Sequence, residues 1–142
     1  MLILSGCGYE PIMLKKNYDF SISSINTNGV KEINRIIKRN LYKKTNNSGN
    51  KIYQIYFSSS KVKETISSNN KGDPMIFKIT INLEYELLRN KEIFLKNKIS
   101  RETIYNNIND KFELLKYEEN LIENLSEKFA DDILVSITTS ME

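Results

Sequence analysis

Hydrophobic and polar positions along this chain follow two periods. The clearest is a period of two. Met75, Phe77, Ile79, Ile81, Leu83, Tyr85 and Leu87 take every second position, with Lys78, Thr80, Asn82, Glu84 and Glu86 between them. Such alternation predicts a strand with one buried face. Arg89-Asn90-Lys91 turns the chain, and Ile93, Leu95, Ile99, Thr103 and Tyr105 continue as a further strand, so the two runs predict a long antiparallel hairpin. Upstream, Ile52, Tyr53, Ile55, Tyr56 and Phe57 form a short strand from about Lys51. Its two apolar faces place it inside a sheet. The polar stretch from Ser58 to Asn69-Asn70-Lys71-Gly72-Asp73-Pro74 reads as a loop. Phe20, Ile22 and Ser24 alternate with Asp19, Ser21 and Ser23 as a first strand, and Asn26-Thr27-Asn28-Gly29 reads as a turn and helix start.

Two segments instead follow the helical period. From Val30 to Lys44, Val30, Ile33, Ile36, Ile37 and Leu41 fall on one face and Lys31, Arg35, Lys38 and Arg39 on the other, with Asn46-Asn47-Ser48-Gly49 ending the helix. After the loop Tyr105–Asp110, the last segment places Leu121, Ile122, Leu125, Phe129, Ile133 and Ile137 on one face and Glu119, Glu123, Glu127 and Asp131 on the outer one. Glu118 falls inside that apolar stripe, so regular packing is expected to begin only after it. The order strand, helix, three strands, helix predicts an α+β fold. Two helices pack on one face of a four-stranded mixed, mostly antiparallel sheet, and the strand–helix–strand unit supplies one parallel pair.

Composition narrows the chemistry. With 142 residues the chain fits one domain, expected over residues 18–142. Histidine, the commonest general base and metal ligand, is missing. The single cysteine excludes an intramolecular disulfide and a Cys-cluster metal site. No cofactor is expected. Asp131 and Asp132, adjacent on a helix, point about 100° apart and do not converge on a substrate. A net charge of +3 is only mildly basic and does not by itself point to nucleic acid. No stretch reaches the roughly 18 apolar residues needed to span a bilayer.

The N-terminus carries the most specific signal. Leu4-Ser5-Gly6-Cys7 resembles the lipobox of bacterial lipoproteins, in which small residues admit the peptidase and the thiol takes the diacylglycerol. The plain alternative is a small buried cysteine in a first strand. Only Leu2-Ile3-Leu4 precede the box, far short of the apolar core of a signal peptide, so the true start is expected upstream. Residues 1–6 are then the remnant of a signal peptide and lipobox, and residues 7–17 a lipidated tether in which Pro11 blocks a helix. Lipidation would make the protein membrane-anchored. Gly8 after the cysteine, where an Asp favours inner-membrane retention, resembles an outer-membrane address.

Along nearly its whole length the chain resembles the LPS-assembly lipoprotein (LptE) family. Three features carry the resemblance. Cys7-Gly8-Tyr9-Glu10-Pro11-Ile12 is similar to the family's Cys-Gly-aromatic-x-Pro-Leu opening, with Ile12 in place of Leu. The hairpin contains Glu84-Tyr85-Glu86-Leu87, of the type x-Tyr-x-Leu. Tyr105-Asn106 and a polar loop precede a terminal helix with Tyr117-Glu118-Glu119 and Leu121. The resemblance implies a non-enzymatic outer-membrane lipoprotein, periplasm-facing and lipid-anchored. It would partner the β-barrel of the lipopolysaccharide translocon (LptD-like), support its assembly, plug its lumen and contact lipopolysaccharide in transit. No nucleic-acid partner is implied.

Lipopolysaccharide carries phosphates and acidic sugars, which Lys and Arg bind. Arg89 and Lys91 at the hairpin turn, with Lys96, Lys98 and Arg101 on the last strand, are the candidate patch. The competing reading is edge-strand charge that blocks aggregation. The basic face of the first helix is a second candidate, against an ordinary solvated face paired with the acidic terminal helix. The aromatic residues Tyr53, Tyr56, Phe57, Phe77 and Tyr85 read as core. Other function classes stay open: an auxiliary subunit of a lipid-exporting transporter, a small envelope enzyme for which no residue spacing argues, or, if Met1 is the start, a basic cytosolic binding module.

Overall fold

A computed structural model describes residue 18, residues 20–45 and residues 51–140. The lipobox-like segment, the tether and Asn46-Asn47-Ser48-Gly49 lie outside the described residues. The elements are β1 (Phe20–Gly29), α1 (Lys31–Lys44), β2 (Lys51–Ser68), β3 (Pro74–Arg89), β4 (Glu92–Asn106) and α2 (Lys111–Ser140). They form an α+β fold in which one four-stranded sheet has the order β1-β2-β3-β4. β1 pairs with β2 in parallel, and the other two pairings are antiparallel. This is the expected mixed sheet, with β2 inside it.

The period-two run of β3 forms the floor of the core. Phe77, Ile79, Ile81, Leu83, Tyr85 and Leu87 are buried on the helix side, and only Met75 at the strand start stands exposed. Ile33, Ile37 and Leu41 of α1 and Ile122, Leu125, Phe129, Ile133, Leu134 and Ile137 of α2 close over it. The aromatic residues divide: Tyr53, Phe57, Phe77 and Tyr85 are buried as expected, whereas Tyr56 points to the open face of the sheet and is exposed. Asp110 caps α2 by accepting the backbone N–H groups of Phe112 and Glu113 at 2.9 and 3.2 Å.

Two polar stretches read as loops are strand. Ser58–Ser68 continues β2, paired with β3 from Ser58↔Glu84 to Ser68↔Pro74, in unbroken register as far as Thr65↔Phe77 and with irregularities beyond it. Backbone pairing with an already formed neighbour outweighs the low strand preference of Ser, Lys and Glu there. Asn26–Gly29 likewise continues β1 alongside Tyr56–Ser59. A bulge between Ile22 and Ser24 resets the alternation, so Ile25 joins Phe20 and Ile22 in the core and Ser24 does not.

Gly29 ends β1 in a conformation that few other residues adopt, with φ at +101°. A Cβ built there would lie 1.9 Å from the carbonyl oxygen of Ser59. The close approach lets the Ser59 hydroxyl receive the Val30 N–H at 3.1 Å and donate to Asn34 Oδ1 at 2.7 Å, while Asn34 Nδ2 donates to the Asn28 carbonyl. The start of α1 is thus fastened to β2 through satisfied buried polar groups.

Beyond the Gly29↔Ser59 pair, β2, β3 and β4 run on without β1. The molecule therefore has a near end, where Tyr18 bridges to Thr45 and both helices cover the sheet. Its far end is a three-stranded extension met by the first turns of α2.

Candidate functional site

The β3–β4 hairpin closes through Asn90 and Lys91, both at positive φ (54° and 65°), as a two-residue turn of the type whose twist suits a hairpin. This places Arg89 and Lys91, both exposed, at the near end. A register shift opposite Leu87 and Leu88 inserts Phe94 as an extra residue in β4. The Phe94 ring meets Tyr53, with centroids 5.5 Å apart. Lys51, Arg89, Asn90, Phe94 and Ser140 surround a shallow depression of about 420 Å³. Lys51 and Phe94 are thus neighbours of Arg89 that only the fold reveals, because the strands that carry them are joined through the sheet.

The five basic residues expected to form one patch occupy three places. Lys96 and Lys98 alternate onto the open face of the sheet, where they pair with Glu86 and Glu84, each at 3.2 Å. With Tyr56 and Ser58 they line a depression of about 580 Å³. Arg101, at the opposite parity, points to the helix side and holds Asp132 of α2 through two hydrogen bonds, 2.9 and 2.8 Å. Arg89 and Lys91 stand at the turn. Strand parity explains the split: positions 96 and 98 share a face that 101 cannot share. The carboxylates come from the neighbouring strand, since Glu84 and Glu86 lie directly opposite Lys98 and Lys96 in the register.

These pairs differ in kind. The Lys98 and Glu84 side chains are 80% and 64% exposed, so that pair contributes little to stability and the ammonium can exchange its carboxylate for another anion. The Arg101–Asp132 fork is half-buried, and the same helix turn anchors Tyr85 through its hydroxyl's bond with Ser136, which in turn donates to the Asp132 carbonyl at 2.9 Å. Arg101 is thus occupied in holding α2 to β4.

The basic face of α1 also divides. Arg39 pairs with Glu123 at 3.2 Å and Lys44 pairs with Asp131, which matches the expected pairing of the two helices. Lys31, Arg35 and Lys38 make no ion pair with a described residue.

The far end presents apolar surface. Phe112 and Leu115 of α2 are 63% and 55% exposed, and Val62, Ile66, Met75 and Ile104 of the extension are also exposed. Beneath them Lys63 reaches over the Phe77 ring, 4.2 Å from its centroid, and pairs with Glu118 at 3.0 Å. The Tyr105 hydroxyl, buried and without a hydrogen-bond partner of good geometry, is held well above its ordinary value of 10.0, by burial first and by the Glu118 charge second. Among the described residues no group of three metal-ligating side chains gathers, and no helix is long and apolar enough to cross a membrane.

The chain is thus a small α+β unit, two helices on a mixed sheet with a parallel first pair and a long hairpin. No protein-family model and no curated protein matches the sequence. The fold itself is shared with solved structures of bacterial lipoproteins. Rare lipoprotein B from Shewanella oneidensis superposes with a TM-score of 0.63 at 18% identity, covering 83% of this chain and 96% of that one. Lipoprotein B from Nitrosomonas europaea gives 0.58 at 18%, covering 89% and 91%. A minor lipoprotein from Acinetobacter baumannii gives 0.56 at 12%, covering 84% and 94%.

Proposed function

We propose that the protein is an outer-membrane lipoprotein that partners the lipopolysaccharide-translocating β-barrel. In this role it supports the assembly of the barrel, plugs its lumen and binds lipopolysaccharide during insertion into the outer leaflet. The observation that carries this reading is the coincidence of two independent features. One is the Cys7-Gly8-Tyr9-Glu10-Pro11 opening behind a lipobox-like Leu4-Ser5-Gly6. The other is a fold shared with rare lipoprotein B over most of both chains.

The surfaces support the reading in two ways. Exposed Phe112 and Leu115 on the helix side, with Val62 and Ile104 on the open face of the sheet, give both sides of the far end apolar surface of the kind that a partner covers. Arg89 and Lys91 at the hairpin turn, with Lys96 and Lys98 on the adjoining open face, offer cations to the phosphates of lipopolysaccharide. Arg101, committed to Asp132, serves the fold that presents them. The protein acts by binding and shape, with no bond made or broken.

The test is purification of the natively initiated protein from solubilised membranes, with mass spectrometry of the co-purifying proteins and of the N-terminal peptide. An acylated Cys7 peptide together with a large β-barrel is expected. Unmodified Cys7 without a barrel would overturn the reading, and an acylated chain bound to a transporter would replace the barrel role with that of an auxiliary subunit.

A further inference from the structure

The outward face of α1 lies apart from the surfaces used in that role, and its chemistry is specific. Lys31, Arg35, Lys38 and Tyr42 follow one another at steps of four, three and four residues, so they share a single stripe opposite the buried Ile33, Ile37 and Leu41. All four are exposed. The three cations make no ion pair with a described residue, so no carboxylate among the described residues neutralises the stripe, whereas Arg39 and Lys44 of the same helix hold Glu123 and Asp131. Between the end of β1 and the first turns of α1, these cations border a depression of about 420 Å³ shared with Thr27, Asn28 and Asn34, and no acidic side chain lines it. At the other end of the stripe Tyr42 adds an amphipathic ring of the kind that sits at a membrane interface.

The entry of the chain lies on the same side of the fold. Tyr18 bridges to Thr45, the residue after α1, so the segment leading from Cys7 arrives beside the C-terminal end of this helix. Tyr18 stands eleven positions after Cys7. An extended chain covers at most about 40 Å over that distance, which keeps α1 within easy reach of the leaflet that holds the lipid.

We infer that the Lys31–Arg35–Lys38–Tyr42 face of α1 rests on an anionic phospholipid leaflet, with headgroup phosphates in the depression beside Thr27 and Asn28. This inference rests on the lipoprotein reading for its biological setting, and on charge complementarity for the contact itself. Each cation near an anionic surface raises partitioning about fivefold, so three raise it about a hundredfold. The contact is weak enough to be reversible, and a tether makes it effectively intramolecular.

The test uses the full chain carrying Cys7→Ser, which bears no lipid, in sedimentation with vesicles of phosphatidylcholine alone or mixed equally with phosphatidylglycerol. The parent is expected to bind only the mixed vesicles. Lys31→Glu, Arg35→Glu and Lys38→Glu together are expected to abolish that binding, with an unchanged melting temperature because all three positions are exposed. Lys71→Glu with Lys128→Glu, two exposed positions away from α1 that hold no carboxylate among the described residues, is expected to retain it. Equal binding to both vesicle types, or full binding by the α1 variant, would overturn the inference. So would equal loss in both variants. None of these outcomes depends on acylation of Cys7, which the mass of the N-terminal peptide of the native protein reports separately.

Discussion

The two halves of α2 carry one apolar stripe and meet opposite fates. Phe112, Leu115, Ile122, Phe129, Ile133 and Ile137 recur on one side of the helix at about 100° per residue. Ile122, Phe129, Ile133 and Ile137 are buried, and Phe129 is fully so, while Phe112 and Leu115 stand more than half exposed. The difference lies in what the rest of the chain supplies. At the near end, α1 and the full four-stranded sheet close over the stripe. At the far end, β1 has ended at Gly29 and α1 has not yet begun, so the first turns of α2 overhang the three-stranded extension, where Lys63 of β2 reaches up to Glu118 of the helix. The same pattern thus builds a core in one half and presents a surface in the other. The first half holds the fold together, and in the proposed role the second meets the partner.

The largest expected contrast is between two phenylalanines of one helix. Phe129→Ala removes a fully buried ring and is expected to destabilise by about 3–5 kcal/mol. Phe112→Ala is expected to change stability by less than about 0.5 kcal/mol. Chemical denaturation of both variants measures the contrast, and similar losses would erase the distinction between the halves. Next is the boundary itself. Gly29→Ala forces a Cβ against the Ser59 carbonyl at positive φ, and a loss of at least about 2 kcal/mol is expected in the same assay.

Smaller effects sharpen the picture on the hairpin. Arg101→Ala is expected to cost about 1 kcal/mol, since the fork is about one-third exposed, and Lys98→Ala close to nothing, since its pair is solvated. Lys91→Gly is expected to stabilise by roughly 0.5–1 kcal/mol, because Lys91 occupies a positive-φ turn position that glycine fills without strain. The same change removes a candidate phosphate contact, so a gain in melting temperature with weaker lipopolysaccharide binding would separate the two roles of that turn. A pH scan reads Tyr105. Its folded value is raised, so its contribution is full below the unfolded value of 10.0 and is lost as pH rises beyond it, where the unfolded state ionises and the folded state resists. Tyr105→Phe is expected to flatten that alkaline loss and to leave stability at neutral pH nearly unchanged, because the hydroxyl makes no hydrogen bond of good geometry.

The β3–β4 hairpin and the α1 stripe were legible because each buries one face along its own period, and the parallel first pair because a helix connects its two strands. Glu118 marked in the sequence where packing of α2 becomes regular. The continuation of β2 through Ser58–Ser68 was not legible, because its strand state comes from pairing with β3 and not from apolar content of its own. The separation of Arg101 from Lys96 and Lys98 follows from strand parity alone. The partners Glu84, Glu86 and Asp132 required the register and the placement of α2. The exposed half of the α2 stripe was out of reach for a different reason. Periodicity reports which residues share a face but not whether anything covers that face.

Photo-crosslinking in living cells tests the central claim most directly, with a photoreactive residue placed at Phe112, Leu115 or Ile104 and, for comparison, at Glu119 on the outer acidic face of α2. The account predicts adducts to a large outer-membrane β-barrel from the three far-end positions and none from Glu119. No barrel adduct from the far end, or equal adducts from all four positions, would contradict it.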